Sequence, residues 1–412
     1  MFAATALAIG LTVGFGLGLW LLLARVWGVT LFGASWFALA QVHGILQLFG
    51  FAGFFAMGIA LHALPRFRGA GPPPVRLVWI TYLATLAGLV LRSVAQPIPD
   101  LPARGSLLLV GDGLLVIGTL AFSAAALGSL VTGRNPHRPD ELVIGAGIAL
   151  FPVAALLVAL EALGSAPLIV DQASDDRALW TMLLGGIGTL IFGAWARLAP
   201  GFVAALPARP RPLVVGVVLW LCGVGALAAD TAAGPWLLLA GLATTTYALN
   251  VFGPGIARQP LQDHARLTRI GVRSAFAWAF VGIGILAAGT LGLAGSYLQI
   301  SAGRHAVALG FVTLMIYAVA SRALPAFLNR RLWSPRLQAA TLVIANLGVV
   351  LRVFPQLVEG APLEAMIGLS GIFSYTGLLL FTVNVVRTLR APSTPAAIPG
   401  APVRLDLRFG KR

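Results

Sequence analysis

QVHGILQLFGFAGFFAMGIALHALPRFRG, residues 41–69, sets two of the chain's five histidines into an apolar run. A helix of roughly 20 apolar residues crosses about 30 Å of hydrocarbon. An imidazole inside such a helix is costly unless it has a partner. His43 and His62 are separated by 19 residues, about 28 Å along a helix axis. One site therefore cannot contain both, and each needs its own explanation.

Similar windows recur along the chain. Of its 412 residues 58% are hydrophobic and 10% charged, with mean hydropathy +0.92. That balance fits a chain whose solvent is a bilayer. About twelve windows read as spans: 3–26, 36–63, 76–95, 106–131, 141–165, 178–199, 212–230, 234–253, 271–294, 302–324, 337–357 and 362–386. Together they predict one all-α transmembrane domain, residues 1–390, followed by a basic tail, 391–412. The first window lacks a basic flank and a small-residue cleavage site, so it reads as a retained helix.

The net charge of +15 is distributed by topology. Twenty of the 28 Lys and Arg fall in alternate connections: Arg66/Arg68/Arg76, Arg134/Arg138, Arg209/Arg211, Arg258/Arg266/Arg269/Arg273, Arg330/Arg331/Arg336, and the tail from Arg387. The other connections carry Arg25, Arg104, Arg177 and Arg304, and several are acidic at Asp171, Asp175, Asp176, Glu359 and Glu364. This is the positive-inside pattern. It predicts a multi-pass protein with both termini cytoplasmic and accounts for the charge without nucleic acid; the Arg-, Ala- and Gly-rich, Lys-poor usage suggests a bacterial inner membrane. The single Cys222 excludes an intrachain disulfide.

His62-Ala-Leu-Pro65-Arg-Phe67 has two echoes, Arg197-Leu-Ala-Pro200-Gly-Phe202 and Arg322-Ala-Leu-Pro325-Ala-Phe327. Each places a cation former three residues before Pro and five before Phe, at intervals of 135 and 125 residues. Leu91-Arg92 and Gln96 recur as Leu351-Arg352 and Gln356, offset by 260 residues. The chain thus reads as three pseudo-symmetric four-helix units, roughly 1–135, 136–255 and 256–390. Repeats in membrane proteins often flank a central site.

In that frame His43 and His305 sit at nearly equal depth in the outer half of equivalent helices, and are each other's candidate partner. Two facing imidazoles in a helical bundle suit axial ligation of a haem iron. Arg92 and Arg352 lie at the level expected for the propionates, and guanidinium binds carboxylate in bidentate fashion. Gln47 is one turn below His43. The blander alternative is interhelical hydrogen bonding by the two histidines. His62 could serve as a metal or proton-entry residue, or simply snorkel to the interface. With Arg197 and Arg322 it would ring the cytoplasmic mouth. Asp112, inside the fourth span, is a candidate for proton handling.

His43-Gly-Ile-Leu-Gln-Leu-Phe49-Gly50-Phe51, closing in Leu64-Pro65-Arg-Phe67-Arg-Gly69, resembles the histidine-bearing helix of the NnrS family. His305-Ala306, Gly310, Met315, Ala318-Val319 and Ser321-Arg322 resemble its second histidine helix. Gly193 with Arg197-Leu-Ala-Pro200-Gly-Phe202 is similar to its Gly-Arg-x-x-Pro-x-Phe segment. The resemblance implies a polytopic protein that carries haem b and copper, with a role in nitric oxide metabolism. Its partners would be the lipid bilayer, a small nitrogen oxide and a redox partner. More distantly, the chain resembles the catalytic subunit of haem-copper oxidases and nitric oxide reductases, with three four-helix arcs and low-spin haem ligands on helices 2 and 10. By that likeness His43 and His305 match the ligands and Arg352 an arginine near the propionates. The departures weigh against an oxidase reaction. Six ligand histidines are needed, helices 6 and 7 have none, and Gly303 stands at the high-spin position. Ile45 and Leu46 replace the second histidine and the following glutamate of the NnrS motif, and its histidine after Arg322 is missing, departures that weigh against copper. A proton-coupled transporter of a small anion, or a degenerate oxidase-like subunit, are the competing expectations.

Overall fold

The computed structural model describes residues 1–28, 35–163, 168–255, 261–358 and 363–391. Arg258, Glu359 and the tail 392–412 lie outside the described residues. Twelve long helices follow one another with short connections. They are α1 (Phe2–Trp27), α2 (Trp36–Arg68), α3 (Val75–Ala95), α4 (Arg104–Thr132), α5 (Pro139–Ala162) and α6 (Gln172–Val203). Then come α7 (Pro210–Ala228), α8 (Ala233–Ala248), α9 (Asp263–Thr290), α10 (Tyr297–Phe327), α11 (Pro335–Gln356) and α12 (Leu363–Arg390). Eleven are long and apolar enough to cross a bilayer; α8, with 16 residues, is shorter than the expected window 234–253. Among the described residues the sole β pairing is an isolated bridge between Ala205 and Gly255.

The largest extensions beyond the hydropathy windows are at the starts of the sixth and ninth helices. The sixth starts at Gln172 rather than 178, because the Asp171 carboxylate accepts the Ser174 backbone N–H at 3.0 Å and caps the first turn. That hydrogen bond holds the Asp171 carboxyl below the usual carboxylate range. The ninth starts at Asp263 rather than 271, so Arg266 and Arg269 belong to a helix, not a connection. Just after this extension Arg273 ties the helix to the preceding connection, donating to the Val251 and Gly253 carbonyls at 3.0 and 2.7 Å.

Among the described residues four stretches have the wider π-helical winding: Gly10–Gly14, Leu46–Gly53, Thr181–Gly188 and Ala306–Thr313. Such turns loosen the main-chain ladder and re-aim its carbonyls. Accordingly the Leu184 carbonyl accepts the Trp220 indole N–H at 3.0 Å, and the Ala308 carbonyl accepts the Thr313 hydroxyl at 3.0 Å. The π turns of α2, α6 and α10 begin 135 and 125 residues apart, the intervals of the Pro-Phe motif. Gly88, Gly223 and Gly348 keep the same intervals on α3, α7 and α11. A Cβ there would stand 2.6 Å from the Gly111 oxygen, 2.7 Å from the Leu238 nitrogen and 2.6 Å from the Ser374 hydroxyl. Each glycine lets its helix meet the next one backbone to backbone.

The motif itself closes one end of the bundle, the end that carries the arginine-rich connections. Arg197 lies 5.1 Å from the Phe67 ring, Arg322 lies 5.9 Å from the Phe202 ring, and the His62 ring packs at a tilt against Phe327, centroids 4.6 Å apart. Each cation former rests on the aromatic of the preceding unit, and the first unit rests on the last. The three contacts therefore form a closed ring.

Candidate functional site

A cavity of about 670 Å³ opens at the end opposite the basic connections. Its walls come from α1, α2, the start of α6, α10, α11 and the start of α12. His43, Gln47, His305 and Arg352 all line it. The structure therefore brings together four of the residues that sequence places at a common depth.

His43 is held by α1. Gly14 has ψ −102°, off the helical value, at the junction between the π turn of α1 and the rest of that helix. Its carbonyl leaves the ladder and lies 3.0 Å from His43 Nδ1. A carbonyl only accepts, so Nδ1 carries the hydrogen and Nε2 keeps its lone pair. The ring packs so near α1 that a Cβ on Gly18 would come within 2.6 Å of His43 Cε1.

His305 is held by its own helix. Its Nδ1–H donates to the Ser301 carbonyl, 2.7 Å away, which again leaves Nε2 with a lone pair. Arg352 Nη2 donates to that Nε2 at 3.3 Å. Both imidazoles thus share a tautomer, fixed by a backbone acceptor behind the ring, and each keeps its acceptor nitrogen at Nε2, which in His305 takes the Arg352 donor.

The mouth carries polar groups that the sequence pattern did not single out. Arg25 stands 3.9 Å from Glu364, and Arg304 pairs with Asp176 while lying 5.7 Å from the Trp180 ring. Gln41 grips the connection before α6, donating to the Val170 carbonyl at 2.8 Å and accepting its N–H at 3.0 Å. Asp175 and Gln356 also face the cavity. The available signal was parity: Arg25 and Arg304 are cations on the side where cations are scarce.

Two other sequence candidates lie elsewhere. Arg92 does not line the cavity, because Asp112 and Glu161 bind its guanidinium at 2.7 Å each. His62 is in the ring at the basic end, far along α2 from His43. Among the described residues no group of three His, Cys, Asp or Glu is placed to hold a metal ion.

Fold and site define a polytopic, all-helical membrane protein with a two-histidine chamber at one end of the bundle. The sequence model of the NnrS protein family matches residues 3–393, and the chain belongs to that family. The fold is similar to that of a haem-copper terminal oxidase dimer solved by cryo-EM, with TM-score 0.71 and 12% identity. That match covers 95% of this chain and 85% of the other. A search of curated proteins found no match.

Proposed function

We propose that this chain binds one b-type haem between His43 and His305 and serves nitric oxide or related nitrogen-oxide handling, by sensing, sequestration or electron transfer. The observation that carries the reading is the pair of imidazoles in one chamber, each with Nδ1–H tied to a carbonyl and Nε2 as acceptor, a nitrogen that His305 would free by releasing Arg352 to a propionate. A cavity near 670 Å³ is within the range, roughly 300–1,000 Å³, that holds cofactor-sized ligands. Held by His43 and His305, a haem would supply one-electron chemistry, which favours electron transfer or sensing as the role.

The chain's own residues divide the remaining work. Gly14 and Ser301 orient the two rings. Arg352 lies against His305 Nε2, and Arg25 and Arg304 line the mouth, so these three are the cations for the propionate carboxylates. Arg92 is not assigned here, because it does not line the cavity and its guanidinium is enclosed between Asp112 and Glu161. No residues are assigned to copper. The protein is placed in a bacterial cytoplasmic membrane with both termini in the cytoplasm and the cavity toward the periplasm, following the basic connections.

The reduced-minus-oxidised visible spectrum of the purified protein tests the reading. A sharp low-spin b-type band is expected, lost in His43→Ala and in His305→Ala. A colourless, well-folded wild-type protein overturns it.

A further inference from the structure

Arg92 on α3 donates to Asp112 on α4 and to Glu161 on α5, both at 2.7 Å. The three side chains are 4%, 0% and 2% exposed. One guanidinium thus faces two carboxylates inside the bundle. Among the described residues Arg92 is the cation acting on both Asp112 and Glu161. Asp175, at the start of α6, lies within electrostatic reach of Glu161 and Arg92 and also lines the cavity. Of the remaining charges nearby, Arg304 pairs with Asp176, and Arg104 donates to the Ala95 and Gln96 carbonyls.

The hydrogen-bond pattern adds a second observation. Asp112 Oδ1, Glu161 Oε1 and Gln96 Oε1 have no protein donor among the described residues, and Arg92 Nε has no acceptor. Buried polar atoms are normally paired, and an excess charge inside hydrocarbon is expensive. Two carboxylates sharing one counter-charge lower that cost by retaining a proton. Asp112 is wholly enclosed, while Glu161 has a third negative charge beside it on the side of the cavity.

We propose that Glu161 carries a proton beside Arg92 and exchanges it with the cavity by way of Asp175. The step is a bare proton transfer. The Glu161 O–H bond breaks, the proton passes to the Asp175 carboxylate or to water in the cavity, and the guanidinium keeps its charge. The Asp112–Arg92–Glu161 group goes from neutral to one net negative charge, and no electrons move. Any negative charge arriving in the cavity then has a proton within reach in its wall.

Infrared spectroscopy of the full chain in detergent at neutral pH tests this, and it reads the carboxyl whether or not a haem is bound. A protonated-carboxyl C=O band is expected that shifts in D₂O, disappears in Glu161→Gln and survives in Asp140→Asn at the basic end. Absence of the band from the wild type, its persistence in Glu161→Gln, or its failure to exchange overturns the assignment. Should Glu161→Gln not fold, Asp175→Asn decides, because it leaves the three buried partners intact. Removing that negative charge favours ionised Glu161, so the band should vanish at lower pH than in the wild type. An unchanged titration refutes the Asp175 route.

Discussion

A Cβ on Gly18 would stand 2.6 Å from His43 Cε1, so Gly18→Val forces the imidazole off the α1 backbone and away from the Gly14 carbonyl. The expected outcome is loss of most of the b-type band while far-ultraviolet circular dichroism stays helical. Arg92→Met should act on stability instead. It leaves Asp112 and Glu161 buried without their counter-charge, a loss of about 3–5 kcal/mol for a broken buried pair, to be read as a lower Tm with any bound pigment spectrally unchanged. At this scale His43, Gln47, His305 and Arg352 were legible because a polar residue in an apolar helix stands out. Arg92 stood out for the same reason and at a suitable depth. Depth along a helix does not say which face a side chain takes, however, and the two acids that claim it lie on neighbouring helices. Charge matching inside the membrane was the missing test, since Asp112 and Glu161 were as visible as Arg92.

The π turns of α2, α6 and α10 each interpose a wider winding between the two ends of a helix. An alanine inserted after Ala56, in the ordinary α-helical part beyond the Leu46–Gly53 turn, should rotate one half of α2 against the other by about 100°. His43 then leaves the cavity while His62 keeps its place on Phe327. The expected result is an inserted, colourless protein, checked by the same difference spectrum. Asp171→Ala removes the cap of α6 and should cost about 0.5–2 kcal/mol, read by thermal unfolding. Hydropathy windows located all twelve helices because the lipid sets their length. They missed the polar start of α9 and the shortness of α8, since neither is written in apolar runs. They also missed the π turns, whose residues are as apolar as their neighbours.

Across the whole molecule the same offsets govern motif, winding and helix contact, so the threefold organisation expected from Pro65, Pro200 and Pro325 holds in the packing. A double-mutant cycle on Arg197 and Phe67 should give a coupling of about 0.5–2 kcal/mol, measured as differences in unfolding free energy. Its equivalent on Arg322 and Phe202 should be similar.

That ring has a consequence for the order of the gene. Because the last unit touches the first just as the first touches the second, the contacts do not care where the polypeptide is cut. Both α1 and α12 have their free ends on the arginine-rich side. A circularly permuted chain that opens near residue 136, with the native ends joined by a flexible linker, should assemble the same chamber and show the same absorption.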